Sequence, residues 1–189
     1  MLGLLVGIPI IFAIAALLTP SNRLRPVWLP IGALTHSLLT LNAVRQPNLS
    51  EFDNWLNLDP LGKVFLGLIS VMFLLCACYA PAYLAERPQR NNRALCSCLM
   101  MSLAMMTLIV ISHHLGLLWV AMEATTLISA PGLYFNHNAR SLEATWKYLL
   151  ICSVGIALAL LGSLFLAYSA LHTGSETSLQ FDDLVRLAP

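Results

Sequence analysis

Apolar residues run along this chain in six long blocks, separated by short segments rich in Pro, Asn, Arg and Ser. Inside each block the apolar positions are continuous rather than alternating, which is the pattern of buried or lipid-facing helices and not of strands. The blocks predict spans at about Leu2–Leu18, Pro26–Val44, Leu58–Leu84, Ala94–Ser112, from a short His113-His114 turn to about Tyr134, and at about Leu142–Leu171. Pro131-Gly132 is expected to end or kink the last turn of the fifth. The breaks fall at Thr19-Pro-Ser-Asn-Arg, at a polar and partly acidic loop from Arg45 to Asn57, at Glu86-Arg87-Pro-Gln-Arg90, and at Asn136-His-Asn-Ala-Arg140. The fold class read from this is all-α: a polytopic membrane helix bundle of about six transmembrane helices over residues 1–171, then a polar tail over 172–189.

Composition agrees. Of the 189 residues 58% are hydrophobic and 10% are charged, far from the balance of a water-soluble domain. A net charge of +1 gives no footing for nucleic acid. Lipid offers no hydrogen-bond partners, so the backbone must satisfy itself in helices or a closed barrel, and the long apolar runs choose helices. The amino terminus lacks a basic n-region and a small-residue cleavage site, so it reads as a first span rather than a signal peptide. Arg23, Arg25, Arg87, Arg90, Arg93 and Arg140 fall in the odd-numbered loops, against Arg45, Lys63 and Arg186 with six carboxylates on the other side. The positive-inside rule therefore expects both termini outside.

The chemistry concentrates at Glu123. It lies in Trp119-Val-Ala-Met-Glu-Ala-Thr-Thr, about 15 Å from either end of its span and so near the bilayer midplane. A carboxylate at that depth costs a few kcal/mol unless it is protonated, hydrated or paired. The default reading is a proton or cation relay; the plain alternative is a protonated acid bonded to a neighbouring helix. Gly116, Trp119, Thr126 and Ala130 share its helical face, which is small and partly polar and suits a bundle interior. Lys147 follows Glu143 by four residues, the favourable order for a helical ion pair. It has two readings, a functional base or a lysine snorkelling to the interface. His36 lies within the second span and either extends a proton path or makes a structural hydrogen bond.

Other positions read more plainly. His113-His114, His137 and His172 are junction or loop residues, and Lys63 pairs with Asp59. Gly155, Ala159 and Ser163 form a small-residue stripe that marks helix packing. The cysteine pairs Cys76/Cys78 and Cys96/Cys98 each point to two sides of a helix and, with Cys152, carry no metal-site or cluster spacing. No phosphate loop, nucleophile elbow or zinc signature is present, so no cofactor or metal is expected and any redox or hydrolytic catalysis belongs to another chain.

Three of these segments resemble one known family. The Glu123 segment resembles the fifth helix of the antiporter-like, proton-pumping membrane subunits of respiratory complex I, multi-subunit sodium/proton antiporters and membrane-bound nickel–iron hydrogenases. Leu58-Asp-Pro-Leu-Gly-Lys-Val-Phe-Leu resembles their third-helix entry, and Arg140-Ser-Leu-Glu-Ala-Thr-Trp-Lys-Tyr-Leu-Leu-Ile-Cys-Ser-Val-Gly their sixth helix, most closely in the hydrogenase-4 and formate hydrogenlyase branch. The resemblance implies a bacterial-type inner membrane location, an outside amino terminus, and a share in redox-coupled proton translocation with Glu123 and Lys147 as proton-handling residues. It also implies a non-catalytic subunit whose partners are other membrane subunits. The family has about fourteen helices, with a partner lysine on the seventh. This chain therefore reads as an amino-terminal portion whose tail, Leu179-Gln-Phe-Asp-Asp-Leu-Val-Arg, leads toward a further helix. Two rivals stand beside this reading: a structural or truncated membrane subunit that conducts nothing, and a component of a sodium/proton antiporter.

Overall fold

The structure is a computed structural model describing residues 1–47, 49–86, 91–172 and 179–186, with 170–172 and 184–186 by backbone alone. Its helices are α1 (Leu2–Leu18), α2 (Trp28–Arg45), α3 (Pro60–Ala85), α4 (Arg93–Ile111), α5 (Leu115–Leu133), α6 (Ala139–His172) and a short α7 (Phe181–Arg186). All six expected spans are helical. Five of them are long and apolar enough to cross a membrane. The sixth, α1, has 17 residues and so spans about 25 Å, slightly less than a typical hydrocarbon core. The chain is a multi-pass membrane protein.

Local chemistry explains the boundaries. At α3, Pro60 takes the first helical position, where no N–H is needed, and Asp59 Oδ1 accepts the Gly62 N–H at 2.7 Å. Asp59 is thus a helix cap, and Lys63 Nζ instead donates to the carbonyls of Gln46 and Pro47. Helix α6 starts three residues earlier than its apolar block because Asn138 Oδ1 accepts the Ser141 N–H at 2.7 Å. The Arg45–Asn57 segment is more ordered than a loop. Leu49–Glu51 (β1) and Leu56–Leu58 (β2) pair antiparallel, Leu49 opposite Leu58, around a turn in which Phe52, Asp53 and Asn54 all have left-handed φ. Leu56 and Leu58 point into the protein, so burial on one strand face holds the hairpin.

Helix α4 is the hub. It packs against α1, α5 and α3, while α2 packs on α1 and α3; α6 leans on α5. Two apolar clusters fill the four-helix part. One gathers Leu2, Leu5, Ala43, Leu56, Leu58, Leu66 and Ile111 near the hairpin. The other gathers Ala13, Ala16, Leu29, Ala33, Ala77, Leu84, Cys96, Met100 and Phe135 toward the opposite face. At that face Arg25, 5% exposed, donates to the carbonyls of Thr19 and Pro20 and to the side chains of Asn22, Asn91 and Asn92. Arg25 is therefore a buried clamp as well as a loop cation. Arg87, Arg90 and Glu176 lie outside the described residues.

The polar tail does not simply trail away. Leu179 O accepts the Leu115 N–H, and the Phe181 N–H donates to His113 O, so residues 179–181 add a short extended segment to the α4–α5 junction. Asp182 then meets Asn54 of the hairpin turn.

Candidate functional site

Glu123 lies half-buried on the α5 face turned to α6. Antiparallel helices in contact bring successive turns together, and three contacts form a ladder here. Trp119 Nε1 donates to Ile156 O at 3.0 Å, Ser153 Oγ donates to Glu123 Oε1 at 3.2 Å, and Ser129 Oγ meets Tyr148 OH at 2.8 Å. The small, polar face expected around Glu123 is thus the one that α6 covers, and Thr126 beside it is buried. Ser153 and Tyr148 escaped sequence reasoning, because a lone hydroxyl in an apolar block gives no sign of which neighbour it will meet.

Lys147 stands elsewhere. It pairs with Glu143, as the spacing predicts, but both side chains are mostly exposed on the outer side of α6. Ser153 follows Lys147 by six residues, roughly 9 Å along the helix and 240° around it, so Lys147 turns away from α5. None of the 18 residues in the apolar core of α6 is buried. The Gly155 and Ala159 positions of the small-residue stripe are exposed, and a Cβ on Gly155 would meet open space.

His36 is fully buried in the four-helix part, away from the Glu123 ladder. Its Nε2 lies 3.0 Å from Thr107 Oγ1 on α4 and its Nδ1 3.1 Å from Ser70 Oγ on α3; Ser70 Oγ in turn meets Thr40 Oγ1 at 2.9 Å. Three of these partners are hydroxyls that no sequence pattern singled out.

The remaining histidines are placed at the ends. His114 Nδ1 accepts the Gly116 N–H, capping α5, and its ring stacks on Trp55 at 4.2 Å between centroids. Burial lowers the pKa of His114 below its ordinary value of 6.5. His113 Nε2 is 3.2 Å from Asp182 Oδ1, a close approach without hydrogen-bond geometry. His137 ends the short 3-10 turn after α5 with a left-handed φ. The amino-terminal ammonium bonds Glu51 and holds its carboxyl below the usual range, helped by the N–H groups of Gly3 and Leu2 and opposed by burial. Among the described residues no three His, Cys, Asp or Glu groups converge as a metal site.

No family model matches the chain. Individual relatives do. Hydrogenase-4 component F homolog of Methylacidiphilum infernorum (isolate V4) is 32% identical over 62% of this chain and 26% of its own length. NADH-quinone oxidoreductase subunit N of Acinetobacter baumannii (strain AB0057) is 33% identical over 68% of this chain and 24% of its own. The chain is a relative of the antiporter-like membrane subunits. Probable inorganic carbon transporter subunit DabB of Hydrogenovibrio crunogenus is 27% identical to it over 85% of the chain. The chain spans about a quarter to a third of the length of these three relatives. A subunit in the structure of the membrane-bound sulfane sulfur reductase, an archaeal respiratory membrane complex, shares its fold with TM-score 0.80 over 99% of the chain, at 21% identity. That match covers 40% of the solved subunit, so the bundle corresponds in fold to part of that longer chain.

Proposed function

We propose that this antiporter-like chain contributes to redox-coupled proton translocation in a hydrogenase or complex I-like membrane assembly, with Glu123 as its proton carrier. The observation that carries the reading is an acidic side chain deep in an apolar helix, half-buried between α5 and α6 and held by one hydroxyl. A carboxyl between two apolar helices feels nearby charge more strongly than one in water, because lipid and protein screen less. A charge change in a neighbouring subunit therefore loads or unloads the carboxyl, and the proton leaves on the other side. Lys147 faces the open side of α6, where the later helices of a full-length antiporter-like subunit would supply its counterpart.

In this reading residues 1–171 form the amino-terminal part of the subunit and the tail leads on toward its next helix. The membrane is a bacterial-type inner membrane, with the amino terminus and the hairpin outside. The partners are the other membrane subunits of the complex. Relatives named for hydrogenase and NADH-quinone oxidoreductase support the redox assignment, and the fold supports the membrane role.

The test is Glu123→Gln in the assembled complex, reconstituted in vesicles and supplied with its electron donor. Proton uptake should be abolished while the complex still assembles. Pumping at the wild-type level in this variant sinks the proposal, and flux that follows sodium rather than electron transfer reassigns the chain to an antiporter.

A further inference from the structure

Between the two apolar clusters of the four-helix part lies a layer that holds four buried polar side chains beside the apolar Leu103 and Ala104 of α4. On α2 the residues His36 and Thr40 lie between Ala33 of one cluster and Ala43 of the other. On α3, Ser70 lies between Ala77 and Leu66; on α4, Thr107 lies between Met100 and Ile111. All four are at most 4% exposed. Buried hydroxyls and an imidazole brought from three helices into one layer of an otherwise apolar interior call for an explanation beyond packing.

The hydrogen bonds have a definite polarity. Thr107 Oγ1 donates to Leu103 O at 2.8 Å, so its oxygen is left to accept from His36 Nε2–H at 3.0 Å. Nδ1 is then the basic nitrogen, and it accepts from Ser70, which accepts from Thr40. Thr107 is a positioning residue that fixes the tautomer, and Thr40–Ser70 is a two-hydroxyl chain ending on the lone pair of an imidazole.

The layer is asymmetric with respect to the two faces. Toward the hairpin one turn of apolar side chains, Ala43, Leu66 and Ile111, covers it. One turn further lies a cavity of about 250 Å³ whose lining mixes the polar Asn57, Asp59 and His113 with the apolar Leu61, Phe65 and Phe181. Toward the other face the second cluster extends along α3 from Ala77 to Leu84, roughly four turns beyond Ser70.

We infer that His36 is a second proton-holding site, separate from Glu123 and loaded from the hairpin face through Thr40 and Ser70. The inference rests on the reading that the chain moves protons. In the loading step a hydronium carried from the hairpin face past the turn of Ala43, Leu66 and Ile111 gives its proton to Thr40 and is left as water. The Thr40 hydroxyl gives its own to Ser70, and the Ser70 O–H bond breaks as Nδ1–H forms. Each hydroxyl ends with one hydrogen, turned the other way, and His36 gains one proton. Unloading is the reverse.

The experiment uses the assembled complex in vesicles, with lumenal pH read by a trapped dye. Thr40→Val keeps the shape and removes the hydroxyl; Thr40→Ser keeps the hydroxyl and removes a methyl. The chain predicts proton flux in Thr40→Val about tenfold below that in Thr40→Ser. Flux in Thr40→Val equal to or above that in Thr40→Ser overturns it, since packing alone favours the isosteric valine. As a second readout, Thr107→Val should turn the single Nε2–H tautomer of His36 into a mixture, seen by nitrogen NMR on histidine-labelled protein; an unchanged tautomer removes Thr107 from the argument. Glu123→Gln run beside them separates the two proposals. If it abolishes pumping while Thr40→Val pumps normally, the His36 site alone is wrong; if it pumps normally, the carrier reading falls.

Discussion

At the scale of single residues, a carboxylate in an apolar helix is defined by the few polar atoms within reach. For Glu123 the contact from α6 is Ser153, and an intramolecular hydrogen bond contributes about 0.5–1.5 kcal/mol. Ser153→Ala should therefore slow proton translocation by about tenfold with assembly intact, and Ser153→Thr should restore it. Flux unchanged in the alanine variant would mean that the carboxyl is solvated by something other than α6. The side chains at this scale were partly legible beforehand. Glu123 and the Glu143–Lys147 pair stand out in sequence because charge in an apolar block is conspicuous, and i,i+4 spacing is local. Ser153, Ser70 and Thr40 do not stand out, because serine and threonine satisfy themselves on their own helix as readily as on another.

At the scale of helices, close approach is set by small residues at crossing points. A Cβ added to Gly32 of α2 would come within 3.0 Å of Phe12 on α1 and of Met100 on α4. No positive φ is involved; the glycine is there for space. Gly32→Val should overpack this crossing and destabilise the bundle by about 1–3 kcal/mol, read as a lower thermal midpoint in detergent. Gly155 of α6 gives the opposite case, since it faces open space and Gly155→Ala should not lower the midpoint of this bundle. A glycine within an apolar helix thus has two outcomes, which its place in the sequence does not separate.

At the scale of the whole molecule, the hairpin end is stitched together from distant parts of the chain. The hairpin, the α4–α5 junction and residues 179–182 meet around His113, His114 and Trp55. Burial lowers the pKa of His114 there, whereas in the unfolded chain it gains a proton near its ordinary pKa of 6.5. The folded state thus binds fewer protons. Its advantage from this group is complete above the unfolded pKa and is lost as pH falls through the lowered folded one. Thermal midpoints measured from about pH 7.5 down to about pH 5 should fall more for the wild type than for His114→Asn, which still caps α5 but does not titrate. Parallel curves would exclude His114 as the source.

What the sequence determined by itself was the set of helices, their membrane character and the presence of a carboxylate at depth. These follow from local rules: apolar run length, missing hydrogen-bond partners in lipid, and caps such as Asp59-Pro60 and Asn138. Only the tertiary structure decided which face of α5 meets α6, that Lys147 turns outward, and that four polar residues from three helices share one buried layer. Those outcomes depend on how helices rotate and cross. Rotation is decided by side chains far apart in sequence that compete for the same space, and no periodicity along one helix records it.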